Sequence, residues 1–394
     1  MSLDRQSLQA LAASLLEART KVTSQEEILK LFCGELRGLG IPLDRAGVNL
    51  VTLHPQILAV GYLWTAEDDH VEVIENDHGV LERSDFLESP LRPVFFGQGI
   101  VKEDLREADS LLRYPLTRRL KAEGYTAYVA LPVPLAEGPR QVMTLATRAP
   151  DGLQAEQIAA VEACIPAFAA VLETRLLAEV AQTLLTTYVG DRAGAKVWDG
   201  SIRRGEGEVL HALVYSCDLH GFTRLAAERS LIDTTRLLNA FFDAMGQPLI
   251  AQGGEILKFI GDAILAVFPC DETARGHCPQ AEAAILAAQQ GLQTLANLDR
   301  EELGLEAPLS AGVALAAGEV LYGNIGVANR LDFTVVGPAV NMAARLQSLG
   351  SALNRSLLYS AEVAQRLARQ SQDLGAFDLK GVPGKAQVFT LAQA

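Results

Sequence analysis

The sequence predicts an α/β (α+β) protein built as two folded parts joined by a helix, and three observations carry that expectation. The chain has 394 residues, enough for two or three domains that each bury a core. Strand-like and helix-like apolar patterns alternate in both halves. Between the halves, from about 153 to 185, Ile165, Phe168, Leu172, Leu176 and Val180 fall on one apolar helical stripe.

Taken in order, Leu8, Leu11 and Leu15 place a helix over 3–18, and Ser24-Gln25-Glu26-Glu27 is a capping box that opens a second. Runs rich in Val, Leu, Tyr and Thr at 46–54, 57–64, 71–74, 125–134 and 141–147 read as strands of a mixed sheet flanked by these helices. The stripe at 153–185 suits packing against its own domain or against a partner helix in a dimer. Glycine-punctuated polar sequence at 190–194 and 203–208 reads as a linker. Beyond it come a strand at 209–217, a helix at about 228–250 and a hairpin across Gly261-Asp262. A helix at 279–298, strands within 309–336 and a helix at 339–349 follow. The expected organisation is a first domain over 1–160, a linker helix and connector over 161–204, and a second domain over 205–394.

With 49% hydrophobic and 21% charged residues, and with glycine and proline dispersed, long disorder is excluded. A net charge of −14 without any Lys/Arg run argues against nucleic acid or anionic lipid as a partner. An anionic nucleotide remains compatible, because local cations and a metal outweigh a distant negative balance. The odd set Cys33, Cys164, Cys217, Cys270 and Cys278 has no zinc spacing and fits reduced thiols. Charges or prolines interrupt every apolar stretch and the first residues lack a signal-peptide pattern, so no membrane span and a cytoplasmic location are expected.

Three segments carry chemistry. In Tyr215-Ser216-Cys217-Asp218-Leu219-His220-Gly221-Phe222-Thr223 an apolar strand delivers an acid and then a glycine turn into a helix. An Asp there is most often a turn or cap residue, but an acid beside free backbone N–H groups can also hold a metal with its phosphates. In Gly253-Gly254-Glu255-Ile256-Leu257-Lys258-Phe259-Ile260-Gly261-Asp262 the hairpin tip presents a second acid, either as turn chemistry or as half of a two-metal pair. In the third, Thr334 precedes Val335-Val336-Gly337-Pro338, and Asn341 and Arg345 then share one helical face as a surface pair or as a device for an anionic transition state.

Together the three segments resemble the catalytic domain of the class III nucleotidyl cyclases, the adenylate and guanylate cyclases, over about 205–394 and including Phe377-Asp378-Leu379-Lys380-Gly381-Val382. The resemblance implies a ferredoxin-like domain, with Asp218, Asp262 and the Leu219 carbonyl holding two Mg²⁺ or Mn²⁺ ions per site. It implies that Gly221, Phe222, Thr223 and Lys380 bind phosphates, that Asn341 orients the ribose, and that Arg345 neutralises charge at the α-phosphate. Lys258 and Thr334 match the purine selectors, Thr334 as in the Thr-type subgroup. A lysine only donates, which suits adenine N1 and opposes the N1–H of guanine. The family's sites form across a dimer, so a homodimer acting on ATP is implied. The Val336-Gly337-Pro338 turn departs from a Gly-Asp form common in the family.

The first half resembles a GAF-type sensor domain through its helices, sheet and the run Val129-Ala130-Leu131-Pro132-Val133-Pro134, which implies an unidentified small-molecule or protein effector. The histidines at 54, 70, 78, 211, 220 and 277 read as packing or surface residues. Rival readings are a guanylate or pyrimidine cyclase, opposed by Lys258, and a silent nucleotide-responsive scaffold. A diguanylate cyclase is opposed by Ile256 where a second acid would follow Gly253-Gly254-Glu255.

Overall fold

In the computed structural model, which describes residues 4–136, 141–270 and 278–392, the first two helices begin at capping side chains. His277 lies outside the described residues. Helix α1 (Arg5–Ala18) starts where the Asp4 carboxylate accepts from the Ser7 N–H at 2.8 Å. Helix α2 (Gln25–Gly38) starts at Ser24, with Glu27 accepting from the Thr23 N–H at 2.6 Å.

The chain divides into two compact units, Met1–Leu184 and Leu185–Ala394. The first holds β1 (Arg45–Val51), β2 (Ile57–Thr65), β3 (His70–Asp77), β4 (Val101–Asp104), β5 (Ala127–Val133) and β6 (Gln141–Thr147). Short helices α3 (Ser84–Leu87), α4 (Leu91–Phe95) and α5 (Pro115–Ala122) lie in its connections. The strand order is β3-β2-β1-β6-β5-β4, and every ladder is antiparallel, which corrects the expected mixed sheet. The reason lies in which strands meet: β1, β2 and β3 follow one another as a meander, β1 pairs with the distant β6, and among the described residues no crossover returns a strand in parallel. Against β1, β2 and β3 lies a cavity of about 160 Å³, lined by Asn49, Asn76, Phe86, Ser89 and Phe95 among others.

Helix α6 (Ala155–Val189) buries Ile165, Phe168, Leu172 and Leu176, and Phe168 stacks on Phe32 with ring centroids 4.5 Å apart. The stripe therefore packs on its own unit as far as Leu176, while Leu177 and Tyr188 are exposed. By length and composition α6 could cross a membrane, but half of its most apolar window is buried within the protein, as in a core helix.

The second unit begins with α7 (Asp191–Trp198), a helix that the glycine punctuation of this connector does not announce. Its buried Ala193 donates its N–H to Glu255 at 3.2 Å, and the Tyr322 hydroxyl donates to the same oxygen at 2.6 Å. There follow β7 (Gly207–Leu219), α8 (Phe222–Ala227), α9 (Leu231–Ala251), β8 (Glu255–Ile260), β9 (Ala263–Pro269) and α10 (Pro279–Ala296). The unit continues with β10 (Ala311–Val327), β11 (Arg330–Val336), α11 (Pro338–Leu353), β12 (Leu357–Ser360), α12 (Ala361–Ala364), β13 (Ser371–Asp378) and β14 (Lys385–Leu391).

The order is β13-β14-β12-β10-β7-β9-β8, with β11 pairing β10, and only β10–β12 is parallel among the described ladders. Alternate residues of β7 feed two cores: Leu213, Tyr215 and Cys217 pack with Phe241, Met245 and Ile285 of α9 and α10. Ala212 and Val214 pack with Ala339 and Ala343 of α11. Burial on both faces makes the middle of β7 a continuous apolar run, and its polar end emerges at Asp218.

Candidate functional site

Ladder pairing brings the two acids to one end of the sheet. Asp218 of β7 lies opposite Ala263 of β9, and the Leu219 N–H donates to the Asp262 carbonyl at 3.3 Å, so Asp262 follows directly on that register. Asp218 Oδ1 is buried without a hydrogen-bond partner. Burial, with the Asp218 charge adding to it, holds the Asp262 carboxyl above the usual range. Asp218 also lies opposite Gly312 of β10. A Cβ on Gly312 would stand 2.9 Å from His220 Nε2, itself buried and unpartnered, and 3.3 Å from Asp218 Oδ1. Glycine thus leaves open the space that two orphaned polar atoms face.

Such atoms are costly unless something satisfies them. Two carboxylates next to a backbone carbonyl are hard oxygen donors of the kind that suit Mg²⁺ or Mn²⁺. Among the described residues no set of three or more His, Cys, Asp or Glu forms a closed cage, so waters or phosphate oxygens would complete the coordination. Beside the acids, Gly221 takes a left-handed conformation (φ 72°) that ends β7 and starts α8. Phe222 is half-buried against the core, which fixes the turn, while Thr223 is exposed.

Lys258 follows an irregularity in the β8–β9 ladder between Ile256 and Lys258, and its ammonium lies 3.5 Å from Asp332 of β11. Thr334, also on β11 and two residues from Asp332, is buried opposite Gly323 of β10. On α11 the inward residues Ala339, Ala343 and Leu346 are buried, which turns Asn341 and Arg345 to the exposed face. Among the described residues neither side chain has an intramolecular partner. Lys380 is exposed in the turn between β13 and β14, at least three strands from β7. At a strand spacing of about 4.8 Å that is roughly 15 Å or more. One chain therefore gathers the acids with the Gly221 turn, sets Lys258 on a strand facing β11, and leaves Lys380 apart.

The model of the adenylate and guanylate cyclase catalytic domain matches residues 211–393. The matched residues all lie in the C-terminal unit. An uncharacterised protein of Mycobacterium tuberculosis is 34% identical over 166 residues, covering 42% of this chain and 29% of that protein. An adenylate cyclase of Anabaena cylindrica is 30% identical over 171 residues, covering 43% of this chain and 33% of that enzyme. The chain thus spans about a third of the length of these curated relatives. A solved bacterial light-regulated adenylyl cyclase aligns with a TM-score of 0.48 at 26% identity, covering 58% of this chain and 64% of the other.

Three residues around the site escape sequence reading. His220 lies inside the first motif, yet nothing in the sequence distinguishes it from a surface histidine. Gly312 has no local signal, because its role comes from pairing across β7 and β10. Asp332 precedes Thr334 by two residues, a spacing that puts both on one face of a strand, but its partner Lys258 is distant in sequence.

Proposed function

We propose that the protein is an adenylate cyclase that converts ATP to 3′,5′-cyclic AMP and pyrophosphate as a homodimer. The observation that carries the proposal is the orphaned, buried Asp218 oxygen beside Asp262, inside a matched cyclase domain. In this reading Asp218, Asp262 and the Leu219 carbonyl hold two Mg²⁺ or Mn²⁺ ions, which when bound activate the ribose 3′-hydroxyl and stabilise the departing pyrophosphate. The 3′-oxygen bonds to the α-phosphorus, the bond to the β-phosphate oxygen breaks, and the hydroxyl proton passes to solvent.

The chain's own residues bind and orient. The Gly221-Phe222-Thr223 turn and Lys380 take the phosphates, and Asn341 fixes the ribose. Arg345 offsets negative charge that develops on the α-phosphate. Lys258 donates to adenine N1 and Thr334 accepts from the amino group. The exposed, unpartnered Asn341 and Arg345 fit residues that complete a site on a second protomer. The N-terminal unit is proposed as a GAF-like sensor, whose cavity is of a size for a small effector, and the protein as cytoplasmic.

The test is to incubate purified full-length protein with Mn²⁺ or Mg²⁺ and each of ATP, GTP, CTP and UTP, and to identify products by chromatography and mass. Cyclic AMP from ATP, lost in Asp262→Ala, supports the proposal. Preferential cyclisation of GTP would overturn the base assignment, and no cyclic product from any nucleotide, with or without the first 184 residues, would favour a scaffold.

A further inference from the structure

We propose that Cys270 and Cys278 form a redox-active thiol pair, a modification site that a small disulfide converts to an intrachain disulfide while the protein stays folded. The two sulfurs lie 3.6 Å apart, in van der Waals contact. A disulfide bond is about 2.05 Å long, so closure takes a movement of about 1.5 Å, within reach of rotation about the two Cα–Cβ bonds.

The backbone holds both residues in place. Cys270 follows directly on β9, and its N–H donates to the His211 carbonyl of β7 at 2.8 Å. Cys278 caps α10, and its N–H donates to the Arg366 carbonyl, just beyond α12, at 3.0 Å. The sulfurs meet because two separately anchored backbones aim them at each other.

Exposure gives the two thiols different roles. Cys278 is 1% exposed and belongs to the core of Phe241, Met245 and Ile285, whereas Cys270 packs at the edge of that core and is only partly buried. A reagent in solution therefore reaches Cys270 first. The Cys270 sulfur, as thiolate, attacks one sulfur of the small disulfide, whose S–S bond breaks and releases one small thiolate. That thiolate takes up the proton that Cys270 gave to solvent. Cys278 then gives its proton to solvent and attacks the Cys270 sulfur of the mixed disulfide, and the second small thiol leaves with a proton. Two cysteine sulfurs are oxidised, one small disulfide is reduced to two thiols, and no other reactant is needed.

Burial and the neighbouring thiol push Cys270 above the usual thiol range, so the first attack is slow. The second step, between sulfurs already in contact, is fast. Such a pair follows the prevailing thiol–disulfide balance and does not act as a rapid peroxide trap. The closed bond ties the end of β9 to the start of α10. It lies roughly 25 Å along β9 from Asp262, so it acts on how firmly the unit is held and not on the candidate site.

The experiment incubates full-length protein with excess oxidised glutathione, well below its melting temperature, blocks the remaining thiols with iodoacetamide in denaturant, and maps tryptic peptides by mass. Trypsin cuts after Arg275, so the disulfide shows as peptide 259–275 joined to 276–300. Titratable thiols are expected to fall from five to three, with the buried Cys33, Cys164 and Cys217 recovered in alkylated form. The melting temperature of the C-terminal unit should rise by about 5 °C and return on reduction with dithiothreitol. Cys270→Ser should lose both the joined peptide and the shift, and the wild-type map stands whether or not that variant folds. Five alkylated cysteines after oxidation would overturn the proposal. So would a lasting mixed disulfide of Cys270 with glutathione, a bond between two chains, or a joined peptide that forms only in unfolded protein. These readouts do not involve turnover, so their failure leaves the cyclase reading standing.

Discussion

The Leu219 N–H donates to the Asp262 carbonyl at 3.3 Å, so the strand bearing one acid is tied by its own backbone to the hairpin bearing the other. The acids therefore keep their places when a side chain is changed. Asp218→Asn is expected to reduce turnover a hundredfold or more, about what loss of a preorganised charge costs. Its melting temperature should not fall, because the Asp218 oxygen it alters has no partner to lose. Kinetics and calorimetry on the same preparation check both statements, and a large loss of stability would show that Asp218 is structural.

Gly312→Ala tests the space between the two orphaned atoms. The added methyl would sit 2.9 Å from His220 Nε2 and 3.3 Å from Asp218 Oδ1, so one of them must move. Overpacking of this kind lowers stability by about 1–3 kcal/mol, and a displaced Asp218 should cut turnover about tenfold. His220→Ala in the same chain removes the nearer contact and should recover part of the stability, which a double-mutant cycle by thermal denaturation reads directly.

The contact of α7 with the sheet should respond to pH. Burial raises the Glu255 carboxyl above its ordinary value of 4.5, one of its oxygens has no partner, and the other accepts from Tyr322 and Ala193. Because the folded state holds this proton more tightly than the unfolded chain, stability falls as pH rises from about 4.5 through the raised value, then levels. Glu255→Gln keeps the acceptor for Tyr322 and should flatten the melting temperature against pH across that acidic window. The same slope in wild type and variant would rule out Glu255 as its source.

A shared site gives a mixing prediction. Asp218→Asn and Arg345→Ala chains should each be inactive alone. Random pairing makes half the dimers mixed, each with one intact site of two, so about a quarter of wild-type activity should return. No recovery, in chains shown by ultracentrifugation to exchange, would place all site residues within one protomer.

Elements with strong local signals were legible in the sequence. The capping box at Ser24, the stripe through Phe168 and Leu172, and the hairpin at Gly261-Asp262 all depend on neighbours within a few residues. The polar end of β7 and the face shared by Asn341 and Arg345 follow from periodicity alone. What was not legible depends on partners far along the chain. The antiparallel order of the first sheet is decided by which strands meet, and α7 by a half-buried acid more than fifty residues away. Strand β12 has only four residues and β13 is largely exposed, so their alternation is weak. The environment of Asp218 is set by Gly312 and His220, whose importance only the β7–β10 register reveals.

β8 bounds the sheet of the C-terminal unit, and Phe259 and Ile260 near its end are 53% and 56% exposed. A terminal strand with large exposed apolar side chains is a template on which other chains can add by backbone pairing. Newly made or refolding chains accordingly face a race between folding and aggregation. Yield on dilution from denaturant should fall with protein concentration, and it should improve when a charged residue replaces Ile260.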